Sequence, residues 1–216
     1  MLNRLHAFGY TGRSASRPPV RPMPVAPAVT LRMTPDEYFA WEETQVERHE
    51  YIHGEVFPMS GGTRNHALIP TNFIAALVPL LRGTDCRMFT SDLRIQIHDD
   101  RYTYPDLSVV CGLEQYRTDR QTTLLNPTLV VEVLSRSAAE YDRGEKFEAY
   151  RQVESLREYV LIAQDRRHAE LFRKEPAGGD GADRWVLYEF AGDDTLTLAS
   201  VSAEVALSAL YEGVEV

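Results

Sequence analysis

The chain has 216 residues, of which 44% are hydrophobic and 25% charged, enough for one buried core with decoration or at most two small domains. No apolar run is long enough to cross a bilayer. The formal net charge of −9 argues against a broad static nucleic-acid surface, which needs clustered Lys and Arg, but leaves room for a small local cleft.

Residues 1–28 stand apart. They hold Arg4, Arg13, Arg17 and Arg21, no acid, and many Pro, Ala and Ser. Taking these four from the 23 basic residues leaves 19 against 32 acids, so the remainder is near −13. Such a segment cannot bury enough surface to fold alone, and its prolines spoil the amphipathic helix of a transit peptide. A disordered arm is expected, or an over-extended start, because Met33 opens the first clear helix signal. "MTPDEYFAWEE" predicts a helix with Thr34 as N-cap, Pro35 at its first position and Glu37 closing a capping box. "HEYIHGEVFPM" predicts a hairpin turning at His53-Gly54. "NHALIPTNFIAALVPLLRG" has helical periodicity and stops at Gly83, with Pro70 and Pro79 as kinks or breaks.

"CRMFTSDLRIQI" reads as one long strand turning at "HDDR" into an antiparallel partner, "YPDLSVV". Cys86 and Cys111 fall in these apolar stretches and are expected as buried, reduced thiols, which points to the cytosol. "PTLVVEVLS" has the continuous apolarity of a central strand covered on both faces. A helix follows in "AAEYDRGEKFEAYRQ", then a core strand in "REYVLIAQ". "AELFRK", "RWVLYEF" and "DTLTLAS" read as a meander, and "SAEVALSALYEG" as a closing helix.

Three ionisable residues need a reason. Asp106 follows a proline at the start of a core strand. Glu132 interrupts a run of Leu and Val, where an unpartnered carboxylate is costly or titrates to neutral. Lys146 lies on the following helix, on the same face as Asp142 four residues earlier. Two carboxylates from adjacent strands can hold a hard divalent cation such as Mg²⁺, with waters completing the octahedron. Such an ion polarises a phosphoryl oxygen and makes water more acidic, and a nearby lysine stabilises the charged phosphate. These are the parts of metal-assisted phosphodiester hydrolysis.

With these residues in place, the chain resembles the Uma2 family, a domain-of-unknown-function family of endonucleases in the PD-(D/E)XK nuclease superfamily. The matching text is "MTPDEYFAWEE", "HEYIHGEVFPMSGG", "NHALI", "YPDLSVV", "LVVEVLSRSAAEYDRGEKFEAY" and "REYVLI", in family order from Met33 to Ile162. The resemblance implies a restriction-endonuclease-like α/β (α+β) core: a mixed central sheet flanked by helices over about residues 33–162, with a β-rich extension over 163–216. It implies Asp106 and Glu132 as ligands of Mg²⁺ (or Mn²⁺), DNA as substrate and a homodimer addressing two strands. The superfamily lysine two residues after the second acid is replaced here by Leu134. In this family it has moved to the following helix, which matches Lys146. Glu50 matches an acid that completes the site, and Asp142 and Tyr150 match the helix pattern.

Each residue also has a plainer reading. Asp106 could cap a turn, Glu132 could pair with Lys146, and Lys146, Glu50 and Asp92 could be solvated surface charges. His66 lines the cleft or is a structural histidine; Ser135 donates to the site or closes a turn. No zinc spacing, phosphate-binding glycine loop or nucleophile elbow is present, and no small organic cofactor or membrane partner is expected. Two rival functions remain. One is a catalytically inactive nucleic-acid- or partner-binding module, favoured if Lys146 occupies Glu132. The other is a glycosidase, which needs two acids about 5–9.5 Å apart beside an aromatic groove, with Tyr102, Tyr104 and Tyr150 as its aromatics.

Overall fold

Local signals explain the first elements. In the computed structural model, which describes residues 32–59, 61–118, 120–135, 138–176 and 183–216, helix α1 spans Pro35–Glu42. Thr34 caps it, and the Glu37 side chain returns to the Thr34 backbone, as the capping box requires. Strands β1 (His49–Ile52) and β2 (Glu55–Pro58) form the expected hairpin. His53 and Gly54 both take positive φ at its turn, 50° and 89°. The arm expected at residues 1–28 lies outside the described residues.

Helix α2 runs from Arg64 to Leu81, straight through Pro70 and Pro79. Each internal proline costs about 3 kcal/mol. Ile69, Phe73, Leu77 and Leu81 recur on one buried face, and burial at roughly 1.5–3 kcal/mol per side chain offsets that cost.

The stretch from Cys86 to His98 departs from expectation. It is two strands, β3 (Cys86–Thr90) and β4 (Arg94–His98), and they belong to different sheets. The return chain divides likewise into β5 (Arg101–Thr103), paired with β4, and β6 (Leu107–Cys111), paired with β3. The break in the return chain falls at Tyr104-Pro105-Asp106, where proline withholds no ladder hydrogen bond. The bent hairpin thus spans both sheets and places Asp106 at the crossing.

Strand β7 (Thr123–Leu124) completes a five-stranded sheet of order β2-β1-β5-β4-β7. Strand β8 (Leu129–Leu134) is buried throughout. After it, α3 (Ala139–Tyr141), a π-helical turn (Asp142–Lys146) and α4 (Phe147–Tyr150) form one continuous helix over residues 139–150. Strand β9 (Glu158–Ala163) returns parallel to β8, and β10 (His168–Glu175) and β11 (Arg184–Ala191) extend the sheet antiparallel. The resulting order is β11-β10-β9-β8-β6-β3, a mixed central sheet.

Alternation sorts its faces. Leu129, Val131 and Val133 pack toward α2; Val130 and Leu134 pack toward Ala149 and Tyr150 of α4. Glu132 has the parity of the second set.

Two C-terminal expectations change. Strand β12 (Thr195–Leu198) pairs not with β11 but with β13 (Ala203–Ala206), as a separate two-stranded sheet. The expected closing helix is therefore half strand, and only α5 (Leu207–Leu210) is helical. Leu196, Leu198, Val205 and Leu207 fill the core against α2, so burial, not helix propensity, selects the conformation. The cysteines also differ from expectation. Cys86 and Cys111 lie directly opposite in the β3–β6 register and form a disulfide. With the two sulfurs bonded, the cysteines no longer point to the cytosol. Among the described residues, no helix is long and apolar enough to cross a membrane.

Candidate active site

The crossing between the sheets opens a cleft of about 1000 Å³. Glu50, His66, Asp106, Glu132, Ser135, Asp142 and Lys146 all line it. Leu107 pairs with Val131, so one step further along this antiparallel ladder sets Asp106 level with Glu132. Asp106 Oδ2 accepts the Val133 backbone N–H at 2.7 Å, which ties it to the neighbouring strand. His66 Nε2 stands 3.6 Å from the same oxygen.

Lys146 is the centre of the acidic cluster. Its Nζ lies 2.7 Å from Glu132 Oε1, 3.3 Å from Glu50 Oε1 and 3.7 Å from Asp142 Oδ1. Both Asp142 and Lys146 are buried, held side by side by the π-helical turn. Such turns recur at functional sites, and apolar periodicity does not announce this one. Leu134, where the usual motif puts its lysine, is packed among Ala149, Tyr150 and Leu161.

Neighbours fix the carboxylates. The Thr103 hydroxyl donates to Glu50 Oε1, and Tyr150 donates to Glu132 Oε1 at 3.4 Å. Arg101 Nη2 donates to the Tyr141 hydroxyl at 2.8 Å on the cleft wall. Thr103 and Tyr141 escape sequence reasoning, because only the β1–β5 pairing and the helix packing bring them to the site. Gly62 also lines the cleft, and a Cβ there would lie 2.6 Å from His66 Nδ1, so the loop needs glycine to approach this helix.

The other named residues fall elsewhere or do plainer work. Asp92 is exposed, ion-pairs with Arg48 and bonds the Thr90 hydroxyl, away from the cleft. Ser135 Oγ accepts the Ala138 N–H at 3.1 Å, a turn contact at the cleft edge. The aromatic groove a glycosidase needs is missing from its named parts: Tyr102 and Tyr150 are fully buried, and Tyr104 alone of the three lines the cleft.

The cluster has more negative than positive charge. Burial, with Asp106 and Asp142 nearby, outweighs the attraction of Lys146 and raises Glu132 to about 8. Burial likewise raises Asp142 against the pull of Lys146. Glu50 moves the other way: burial would raise it, but the Lys146 charge and the hydrogen bonds from Thr103 and Lys146 hold it below its ordinary value. Lys146 itself is raised well above its ordinary value, since Glu132 and Glu50 overcome its burial.

A stability prediction follows from Glu132. Unfolded, it loses its proton near 4.5; folded, it keeps it to about 8. Between those values the unfolded chain binds fewer protons, so stability falls as pH rises, by at most about 1.4 kcal/mol per pH unit. Urea unfolding in a chelator between about pH 5 and pH 8 should show the decline, and Glu132→Gln should flatten it. An unchanged profile in the variant would place the titration elsewhere.

An oxygen-only donor set with surplus negative charge suits a hard cation. Asp106 and Glu132 are the two carboxylates that could be offered to such an ion, a number Mg²⁺ commonly takes from a protein. Among the described residues, three ligating side chains come within 4.8 Å of one another only at Asp85, Cys86 and Cys111, where the sulfurs are bonded to each other.

A mixed six-stranded sheet, with acids where its strands meet the second sheet and a lysine from the next helix, has the architecture of a restriction-endonuclease-like fold. Residues 35–209 match the model of the Uma2 family, described as "Putative restriction endonuclease", and the chain belongs to that family. It is 37% identical over 185 residues to "Uncharacterized protein slr1290" of Synechocystis sp., covering 84% of this chain and 93% of that one. It is 36% identical over 169 residues to "Uncharacterized protein sll1609" of the same organism, covering 77% and 92%. A crystal structure described as "a putative nuclease belonging to DUF820 from Anabaena variabilis" superimposes with a TM-score of 0.66. That match covers 85% of this chain and 99% of the other at 18% identity, and it speaks for the fold.

Proposed function

We propose that the protein is a Mg²⁺-dependent endonuclease that hydrolyses DNA phosphodiester bonds, with Mn²⁺ able to substitute. The observation that carries this reading is the convergence of Glu50, Asp106, Glu132 and Lys146 on one cleft. Asp106 and Glu132 would hold the cation, with Glu50 completing the acidic set. Bound there, the ion supplies Lewis-acid polarisation of a phosphoryl oxygen and a more acidic water. The chain's own groups do the rest. The Val133 N–H and the Tyr150 hydroxyl orient Asp106 and Glu132. The Lys146 ammonium offers its protons to the phosphate oxygens as water attacks phosphorus and the bond to the leaving oxygen breaks. The reading includes a homodimer, one site per strand.

The contact of Lys146 with Glu132 favours a second reading, in which the cluster is a closed ion network and the protein binds nucleic acid or a partner without cutting. Incubation of supercoiled plasmid with the protein separates the two. Nicking with Mg²⁺ or Mn²⁺, lost in a chelator and in Asp106→Asn and Glu132→Gln, is the expected result. Plasmid that is retarded on a gel but uncut under every condition would establish the second reading.

A further inference from the structure

The hydroxyl of Tyr104, a residue that lines the carboxylate cleft, reaches Arg94, which lines a second cleft of about 820 Å³. Arg94 is only 6% exposed, yet among the described residues no carboxylate comes within ion-pairing distance of it. Its Nε donates to Thr123 Oγ1 at 2.9 Å and its Nη1 to Tyr104 at 3.2 Å. The Tyr38 hydroxyl also hydrogen-bonds the Arg94 side chain. The rings of Phe39, Tyr38 and Tyr104 lie 4.4, 5.3 and 5.7 Å from the guanidinium carbon. Glu42 reaches Arg94 only through the Tyr104 hydroxyl, at 3.1 Å, and is already bound by the His49 backbone and ring. Neutral hydroxyls and π faces hold this buried cation without neutralising its charge, which an anion in the cleft would do.

The rest of the cleft suits an oxyanion with several acceptors. Arg117 lies 4.8 Å from the same Phe39 ring, donates from Nη1 to the Tyr102 hydroxyl at 2.8 Å and to Gln96 Oε1 at 3.4 Å, and pairs through Nη2 at 3.6 Å with Asp36, whose side chain is 94% exposed. So exposed a pair holds its arginine weakly. Thr122 and Thr123 also line the cleft, as do Arg120, which is paired with Glu43, and the carboxylates Asp36 and Glu43 themselves, so Arg94 and Arg117 carry its charge available to a ligand. One guanidinium fork satisfies a planar carboxylate. Two guanidiniums with threonine hydroxyls offer more donors than two oxygens accept, and they match the oxygens of a phosphate.

We propose that this cleft is a phosphate-group subsite, separate from the carboxylate cleft, in which Arg94 and Arg117 grip one phosphate. The phosphate comes either from a nucleic-acid backbone or from a free or small phosphorylated molecule. The first source rests on the nuclease reading, where the subsite would anchor the strand away from the cut; the subsite itself does not.

Titration of the full chain in a chelator, where no metal-dependent cleavage occurs, tests it. Inorganic phosphate and a short DNA duplex are added separately while NMR follows the Arg94 Nε–H and the Thr123 amide. Saturable shifts of both signals with phosphate are expected. Arg117→Met should weaken phosphate binding about tenfold, read under conditions where urea denaturation shows the variant fully folded. In the duplex arm, Arg94→Met and Arg117→Met should each reduce the slope of log affinity against log salt by about 1, a readout that a merely structural arginine would not move. Arg117 is at the surface, so its variant keeps the test decisive if Arg94→Met fails to fold. Shifts with both ligands assign a nucleic-acid phosphate. Shifts with phosphate alone uphold the subsite and assign a small phosphorylated ligand. No saturable shift with either, or unchanged phosphate binding by Arg117→Met, overturns the proposal. Failure of the nuclease reading would appear separately, as intact plasmid beside intact phosphate binding.

Discussion

Lys146→Met is expected to cut DNA cleavage by about 10²-fold or more, the range for a lost electrostatic group at a transition state. The substitution keeps the side-chain length and removes the charge that Glu132, Glu50 and Asp142 surround. It also leaves buried carboxylates without their cation, a loss of about 3–5 kcal/mol when the acids are ionised. The two effects separate by pH. Lower pH lets the acids protonate, so the stability loss should shrink toward about pH 5 while the cleavage defect persists. Single-turnover cleavage, corrected for the folded fraction from urea denaturation at each pH, measures both. A variant that cleaves at the parental rate would make Lys146 a counter-ion only, and the phosphate's cation would have to come from another residue.

Glu158→Gln should behave in the opposite way, with a large loss of stability and no change in cleavage per folded molecule. Glu158 is fully buried at the start of β9. It accepts from Arg173 Nε at 2.7 Å, from the Ala199 and Ser200 N–H groups at 3.1 Å, and from the Ser200 hydroxyl. These bonds fasten the central sheet to the turn that follows β12. Removing the charge leaves Arg173 and two backbone donors facing a poorer acceptor, at a cost of about 3–5 kcal/mol. Glu158 pairs with Leu129, three residues before Glu132, so it lies about 10 Å along the sheet from the cleft. Denaturant unfolding and the plasmid assay on the same sample check both halves. A cleavage defect as large as that of Lys146→Met would mean the two ends of the sheet are coupled.

These two glutamates show how far the sequence carries. Glu132 interrupts an apolar strand in "LVVEVLS", Glu158 opens one in "REYVLIAQ", and both are buried. Only Glu132 has an acid and a lysine, Asp106 and Lys146, at the spacing of the family pattern. Yet what separates them is partner chemistry: Glu158 has an arginine and backbone N–H groups to itself, whereas Glu132 shares one lysine with two other acids.

By itself, the sequence determined features whose causes lie within a few residues. The Thr34 capping box, the positive-φ turn at His53-Gly54, the α2 face repeating at Ile69, Phe73 and Leu77, and the parity of Glu132 in β8 are all short-range. Caps, turn dihedrals and side-chain alternation act over one or two turns of chain, so neighbouring residues encode them. The tertiary structure alone decided which strands pair. It divided residues 86–98 between two sheets, drew Cys86 to Cys111, turned half of a predicted helix into β13, and brought Thr103 to Glu50 and Arg94 to Tyr104. Pairing is a choice among distant partners, settled by the burial of whole faces, and the residues at each strand carry no local record of it.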